Sequence, residues 1–154
     1  MRVLVDTNVL IRLFQPSNPS SPIAASAIHE LKKHDFEVVM VPQILYELWV
    51  VATRTVTLNG FGMSVSDTSL LQEKCMQQFR LLRDERGIFD HWSQIVSSNQ
   101  VIGKSAHDAR LVAAMVKHSV PNILTFNVQD FRRHSQVKAF DPMDILAGRL
   151  PPVT

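Results

Sequence analysis

The sequence predicts a three-layer α/β/α domain with a mainly parallel central sheet. One observation is a set of short, mostly apolar runs that lack the polar alternation of a half-exposed strand, at residues 3–5, 36–41 and 123–126. Such runs are typical of strands that are covered on both faces. A second observation is that segments with a 3.6-residue apolar period separate these runs. This alternation of strands and helices indicates a parallel sheet with helices on both sides.

The length and composition indicate one folded domain. A chain of 154 residues has room for a single core, and 45% hydrophobic with 19% charged residues is ordinary for a globular protein. We expect the domain to cover residues 1–150, followed by a short C-terminal tail at 151–154. The formal net charge of +2 and the pI near 8.9 permit a nucleic-acid partner without indicating one.

The cysteine count and the hydropathy pattern predict a cytoplasmic protein. Cys75 is the only cysteine, which excludes an intramolecular disulfide and a cysteine-based zinc site and suits a reducing compartment. Asp6 and Arg12 interrupt the early apolar residues, so a signal peptide is not expected. No apolar run is long enough to span a bilayer, and we expect no membrane association.

The first half of the chain alternates strand and helix twice. Its first apolar run leads into Asp6, Thr7 and Asn8, which are residue types that commonly open a helix. Three prolines within residues 15–22 indicate a loop, and Pro22 suits the first turn of the helix that follows. The predicted elements are a strand at 3–5, helices at 7–14 and 22–34, a strand at 36–41 and a helix at 43–55.

The second half of the chain contains more helix. Ser66 or Asp67 can cap an amphipathic helix, which we expect to run to Glu85. An alanine-rich segment predicts a helix that ends near His118, and the run after Pro121 predicts the third strand. The remaining predicted elements are a helix at 89–97, a loop at 127–131, a short strand at 138–140 and a small helix at 142–146.

Four of the 14 acidic residues stand at unusual positions. Asp6 follows the first strand, Glu47 lies in the helix after the second strand, Asp108 lies near the start of the alanine-rich helix, and Asp130 follows the third strand. Because ligands of open α/β sheets bind outside the carboxyl ends of the strands, the groups that follow strands should meet at one edge. Asp108 must reach that edge from a helix start, which spacing alone does not establish. Taken alone, Asp6 is more simply interpreted as a helix cap.

Several carboxylates at one edge would indicate a hard divalent cation. Like charges raise one another's pKa, so a cluster of acids is costly without a counter-ion. Magnesium and manganese prefer oxygen ligands and often bind substrate phosphates as well. The six histidines fall singly, with no spacing typical of a zinc hydrolase. His107, next to Asp108, is interpreted either as a group near the site or as an exposed helix residue.

Three other α/β nucleotide or phosphate sites fit the sequence poorly. Gly103, Lys104 and Ser105 resemble the end of a phosphate-binding loop, but Ser98 stands where its first glycine is required. A haloacid-dehalogenase-type phosphatase needs a second acid two residues after its nucleophile, and Asn8 occupies that position. The acidic pair and phospho-acceptor of a response-regulator receiver are not visible.

The sequence resembles the PIN domain family, especially the VapC-like toxins of prokaryotic toxin–antitoxin pairs. The resemblance rests on Val-Leu-Val-Asp-Thr-Asn at residues 3–8, on Glu47, on His-Asp-Ala-Arg at residues 107–110, and on Leu-Thr-Phe-Asn-Val-Gln-Asp at residues 124–130. These segments occur in the family's order and span nearly the whole chain. The resemblance implies a PIN-like α/β/α fold.

The resemblance also implies the residues of a site. Asp6, Glu47 and Asp108 would hold Mg²⁺ or Mn²⁺, and Asn8 would orient these acids by hydrogen bonding. Thr125 would form the far side of the site. Many relatives have an acid where this chain has Asn127, so either Asp130 is the fourth catalytic and metal-binding acid or it only caps a turn. Asn127 would then lie near the substrate or behind the metal ligands.

The function implied by the resemblance is a metal-dependent endoribonuclease that cuts single-stranded RNA. Its expected partners are the RNA substrate, an antitoxin protein and a second copy of the chain, with which it would form a homodimer. Two alternatives stay open: a non-catalytic PIN-fold module that binds RNA or protein, and a nuclease that acts on DNA.

Overall fold

The computed structural model describes residues 1–152, which form a five-stranded parallel sheet in the order β3-β2-β1-β4-β5. In the central register, Leu4 of β1 lies between Val39 of β2 and Ile123 of β4. The prediction of a mainly parallel sheet is therefore confirmed. The strands are β1 (Arg2–Val5), β2 (Glu37–Met40), β3 (Arg80–Leu81), β4 (Asn122–Leu124) and β5 (Lys138–Phe140).

The helices cover both faces of this sheet. The chain first moves outward from β1 to β3 and then returns to add β4 and β5 on the other side. Because crossovers between parallel strands are right-handed, the reversal places the later helices on the opposite face. Accordingly α1 packs on α2 and α3, whereas α5 and α7 pack on α6. The helices are α1 (Thr7–Leu13), α2 (Ser21–Lys33), α3 (Pro42–Thr53), α4 (Val65–Gln78), α5 (Ile88–Ser98), α6 (Ser105–Lys117), α7 (Val128–Phe131) and α8 (Pro142–Leu146), with a 3₁₀ turn at Val56–Leu58.

The core lies on both sides of the central strands. Leu4, Met40 and Ile123 of the sheet are fully buried, and so are Leu48 of α3 and Leu111 of α6. Their burial explains why these strands carry continuous apolar runs. Cys75 is also buried, and burial raises the pKa of its thiol to about 11, which suits a packed side chain.

The predicted long helix ending at Glu85 is wrong in its last third. Helix α4 ends at Gln78, and residues 80–81 form the edge strand β3, in which Arg80 pairs with Val39. Beyond the strand, the Leu82 N–H donates to the Met40 carbonyl oxygen at 2.8 Å. Phe79 and Leu82 are both buried. Sheet pairing and burial here outweigh a helical pattern that is favourable only locally.

A second difference lies after the third strand, where we expected a loop at 127–131. Residues 128–131 form the short helix α7, whose Phe131 is buried in the core. Four residues are too few to show a helical period in the sequence, so this helix could not be predicted from the spacing of apolar residues.

The C-terminal segment and the hydropathy of the helices complete the description. None of the helices formed by residues 1–152 has the length and apolarity needed to cross a membrane. Pro151 is buried and Pro152 is exposed. The rest of the predicted tail, Val153 and Thr154, lies outside the described residues.

Candidate active site

The candidate site lies where the chain reverses its direction along the sheet. Strands β1 and β4 are neighbours, but helices from opposite faces follow them, which opens a crevice at their carboxyl ends. Asp6 is the first residue after β1, and Thr125 is the first residue after β4. The Asp6 N–H donates to the Leu124 carbonyl oxygen at 3.0 Å, so the two strand ends stay together.

Asp6 is a buried carboxylate with three hydrogen-bond donors. Its Oδ1 accepts the Thr7 backbone N–H at 2.7 Å, which makes Asp6 the N-cap of α1. Its Oδ2 accepts the Thr125 hydroxyl at 2.6 Å and the Asn8 side-chain amide at 3.1 Å. Only 8% of the residue is exposed. The interpretation of Asp6 as a helix cap is correct, but capping occupies only one of its oxygens.

Asn8 and Thr125 complete a closed network around Asp6. The Asn8 Nδ2 also donates to Thr125 Oγ1 at 3.1 Å, and its Oδ1 accepts the Phe126 N–H at 3.1 Å. The Thr125 hydroxyl, fully buried, accepts the Asn127 N–H at 3.0 Å as well. Asn127 therefore joins the network only through its backbone N–H, and the residue itself is exposed. The network fixes the loop after β4 to the start of α1.

Glu47 on α3 is held between two other elements of the site. Thr7 Oγ1 donates to its Oε2 at 2.8 Å, and Gln43 Nε2 donates to its Oε1 at 2.8 Å. The same Gln43 nitrogen donates to the His107 carbonyl oxygen at 2.9 Å, which links α3 to the start of α6. The roles of Thr7 and Gln43 are not among those predicted from the sequence. The spacing of Gln43 and Glu47, one helical turn apart, is the signal that indicates such a contact.

The acids share one electrostatic field. The pKa of Asp6 is raised to about 6, chiefly by burial and in part by the charges of Glu47 and Asp108, while the hydrogen bonds from Thr125 and the Thr7 N–H lower it. Burial also raises the pKa of Asp108 to about 6, with added repulsion from Asp130 and Glu47. The charges of Glu47 and Asp108 thus act on Asp6, and those of Glu47 and Asp130 act on Asp108, which links the four predicted acids in a chain whose ends, Asp6 and Asp130, are not directly coupled.

The acids do not converge as a closed cage. Within residues 1–152, no three His, Cys, Asp or Glu side chains lie close enough to hold a metal ion. Asp130 is exposed on α7, and Asp108 is half-buried in the first turn of α6. The donor set consists of oxygen alone, which fits Mg²⁺ or Mn²⁺, and Mg²⁺ commonly takes only one or two protein carboxylates and keeps several waters. An open carboxylate site therefore fits such an ion.

The sequence matches the family model of the PIN domain over residues 2–129. The chain belongs to the PIN domain family. PIN domains are nucleases, so the chain belongs to a family of hydrolases. The PIN match includes Asp6, Glu47 and Asp108, and it ends one residue before Asp130. No curated protein matches the sequence.

Solved structures share the PIN fold over almost the whole chain. VapBC2 from Rickettsia felis, bound to a DNA fragment from its promoter, has a TM-score of 0.71 and 11% identity, covering 92% of this chain and 98% of that one. A toxin–antitoxin complex from Klebsiella pneumoniae has a TM-score of 0.63 and 18% sequence identity, and the match covers 91% of this chain and 97% of that one. VapC20 from Mycobacterium tuberculosis, a sarcin-ricin loop cleaving toxin, has a TM-score of 0.56 and 18% sequence identity, and the match covers 98% of both chains. At these identities the likeness shows the fold alone.

Proposed function

We propose that this protein is a metal-dependent endoribonuclease that hydrolyses phosphodiester bonds of single-stranded RNA. The observation that carries the proposal is the placement of Asp6, buried at the switch point of the sheet and within the field of Glu47 and Asp108. A buried carboxylate surrounded by like charges is unfavourable unless a cation compensates it. Sites of this kind occur where a divalent ion and a phosphate are bound together.

The proposed ligands of Mg²⁺ or Mn²⁺ are Asp6, Glu47, Asp108 and Asp130. A carboxylate offers about four lone-pair sites, and the hydrogen bonds to Asp6 use three of them, which leaves Oδ1 a free direction. Each oxygen of Glu47 accepts one hydrogen bond and keeps one free direction. Asp108 and Asp130 accept no hydrogen bond from residues 1–152 and are free to turn toward an ion. The bound cation supplies charge neutralisation at the phosphate and acidifies the attacking water.

Other residues of the chain act through position. Asn8 and Thr125 fix the rotamer of Asp6, and Thr7 and Gln43 fix that of Glu47, so both carboxylates are oriented before substrate arrives. Asn127, exposed beside the network, is proposed to contact the RNA backbone. His107 contributes its carbonyl oxygen to the Gln43 contact, and its exposed side chain is free to meet substrate.

The proposed partners follow from the fold neighbours and from the surface. The complex from Klebsiella pneumoniae supports a cytoplasmic toxin that binds an antitoxin protein, and VapC20 supports RNA as substrate. Helix α3 supports a homodimer, because Tyr46 and Val50, one turn apart, are 61% and 56% exposed. Four other apolar residues of that helix are buried within the monomer and are not available for a partner, namely Ile44, Leu45, Leu48 and Ala52.

The test compares matched pools of single-stranded RNA and DNA, each incubated with Mg²⁺, Mn²⁺ or EDTA. We expect cutting of RNA that requires the metal, and a loss of about 100-fold or more in rate for Asp6→Asn, because changing a residue that only supports a metal ligand already costs about 10- to 100-fold. Glu73→Gln, an exposed acid on α4, is the matched control and should keep full activity.

Three outcomes would contradict the proposal. Equal cutting in EDTA would exclude the metal mechanism. Preference for the DNA pool would make the protein a DNA nuclease, and RNA binding without cutting would make it a non-catalytic module. Circular dichroism of Asp6→Asn would verify that the variant is folded before its rate is interpreted.

A further inference from the structure

An aromatic cleft lies between α5 and the start of α6, the helix that carries Asp108. Its volume is about 470 Å³, within the range of small-molecule pockets. Phe89 forms one side and is 70% exposed, which is unusual for a large apolar side chain. Its ring lies against Trp92, with the two ring centroids 5.7 Å apart and the planes tilted by 36°. The cleft therefore presents an apolar surface with an accessible aromatic face.

The aromatic cleft is joined to the candidate active site by short contacts. The Trp92 indole N–H donates to the Ala106 carbonyl oxygen at 2.8 Å, which fixes the ring on the start of α6. The next residue, His107, lines the cleft, and its carbonyl oxygen accepts the Gln43 amide that also holds Glu47. Asp108 follows immediately. The cleft and Asp108 thus share the first turn of one helix.

The charges around the cleft favour an uncharged planar ligand. Asp84 and Glu85 line one wall, and Arg110 pairs with Asp84 at 2.9 Å. The guanidinium of Arg110 keeps a buried Nη1 with no hydrogen-bond partner among the described residues, but the two carboxylates of Asp84 and Glu85 outnumber its single positive charge. A phosphate group is therefore disfavoured inside the cleft, whereas a flat ring can lie on the exposed aromatic face without a charge penalty.

We propose that the aromatic cleft binds a base of the nucleic-acid strand whose phosphate lies at the acids, by stacking on Phe89 and Trp92. This inference rests on the proposed function, since it names how the same site takes hold of its substrate. A single strand exposes its bases for such stacking, whereas a duplex hides them, so the cleft also supplies a reason for selecting unpaired RNA. Stacking of one base on aromatic residues changes affinity by about 5- to 150-fold.

The fluorescence of Trp92 reports on stacking directly. The chain has two tryptophans, so Trp49→Phe leaves Trp92 as the sole emitter. We would titrate this variant in EDTA with short single-stranded RNA and with strands in which one nucleotide at a time is replaced by an abasic ribose. We expect quenching by the intact strand, and loss of quenching when the abasic position coincides with the stacked base. Absence of quenching by any strand would overturn the proposal.

Substitutions at Phe89 separate a base from an apolar peptide side chain. Because Phe89 is mostly exposed, its replacement should not unfold the protein. We expect Phe89→Ala and Phe89→Leu each to weaken RNA binding by about 10-fold, and Phe89→Tyr to restore it, since only an aromatic ring stacks. Leu70→Ala, an apolar residue of similar exposure on α4, is the control and should not change binding. Full binding by Phe89→Leu would overturn the proposal and favour a protein occupant.

Failure of this inference is distinguishable from failure of the proposed nuclease. Quenching is measured without metal and without cleavage, so Asp6→Asn should retain it while losing activity. Normal metal-dependent cutting together with unquenched Trp92 would overturn the stacking proposal and leave the nuclease intact. Quenching that follows the base, in a protein that cuts no RNA, would support the cleft and remove the catalytic proposal.

Discussion

Two parts of the site hold their acids in different ways. The strand half, which we define as Asp6, Asn8 and Thr125, is a closed hydrogen-bond network at the ends of β1 and β4. The helix half, which we define as Asp108 and Asp130, carries two carboxylates that accept no hydrogen bond within the described part of the chain. Glu47 stands between the halves, fixed by Thr7 and Gln43.

The comparison shows that similar pKa values arise from different causes. In both Asp6 and Asp108 burial raises the pKa to about 6, but hydrogen bonds oppose this rise at Asp6, whereas the charge of Asp130 adds to it at Asp108. At neutral pH, ionised Asp6 costs the metal-free fold about 3 kcal/mol. The strand half is therefore fixed by hydrogen bonds, whereas the carboxylates of the helix half accept none from the described residues.

The largest effect should follow from opening the strand half with Thr125→Val. The substitution removes the donor to Asp6 and the acceptor of the Asn8 amide and the Asn127 N–H. Unpaired buried groups cost about 1–3 kcal/mol each, so we expect about 3 kcal/mol of lost stability and a fall in Tm of about 6–12 °C. Thr125→Ser keeps the hydroxyl and should lose about 1 kcal/mol, the value of one buried methyl group. Equal Tm values for the two variants would show that the network is not a support.

The next largest effect should be the stabilisation of the folded protein by Mn²⁺, which we expect to need carboxylates from both the strand half and the helix half. At a concentration 100 times Kd, binding to the folded state adds about 2.7 kcal/mol, or about 5–11 °C in Tm. At pH 5 protons occupy Asp6 and Asp108, whose pKa values are about 6, so the same Mn²⁺ concentration should add less than about 1.5 kcal/mol. Thermal unfolding with Mn²⁺ and with EDTA at pH 5 and pH 7.5 measures this difference. An equal rise at both pH values would exclude these two acids as ligands.

The strand half is also the part of the molecule that sequence reasoning predicts best. Strand-end acids can be located because apolar runs identify the parallel strands and because such strands end at one edge. Asp6 is therefore found from local pattern and topology together, whereas Thr125 is indicated only by the resemblance to the PIN domain family. The order of strands, by contrast, depends on which pairs bury the most surface, and no local pattern indicates that Arg80 and Leu81 form the edge.

The helix half is less predictable for a physical reason. Whether Asp108 reaches the site depends on how α6 packs, and the contact that anchors it runs from Gln43 to a carbonyl oxygen of His107. Backbone acceptors carry no sequence signal. Asp130 lies on a helix of four residues, too short to be recognised from periodicity. The acids could be nominated from the sequence, and the one-turn spacing of Gln43 and Glu47 indicates their contact, but the contact between Thr7 and Glu47 joins distant parts of the chain and has no such signal.

A smaller effect, with the opposite sign, should follow from neutralising the helix half. Asp108→Asn removes a carboxylate that is repelled by neighbouring acids, and it breaks no side-chain hydrogen bond of the described residues. In EDTA at pH 7.5 the free energy of unfolding of the variant should therefore be higher by about 1 kcal/mol. The gain is small because Asp108 is partly exposed and solvent screens much of the repulsion. The pKa of Asp108 is 3.8 when unfolded and about 6 when folded. Below about pH 3 it is neutral in both states, so the difference should vanish there, grow as pH rises to 6 and stay constant above 7. Denaturant titrations across pH measure it. Lower stability of the variant at neutral pH would mean that the carboxylate is favourably bound.

The smallest effect should follow from removing the charge of Asp130, which influences only one of the two raised pKa values. Its charge raises the pKa of Asp108 but is not among the causes of the raised pKa of Asp6. In Asp130→Asn we therefore expect the pKa of Asp108 to fall toward its usual range and that of Asp6 to stay near 6. Carbon-detected NMR titration of the side-chain carboxylates in EDTA resolves both, with the exposed Asp67→Asn as control. An equal fall in the pKa of Asp6 would show that the two halves are one electrostatic cluster. An unchanged pKa of Asp108 would place Asp130 outside the site and leave Asn127 as the nearer polar residue after β4.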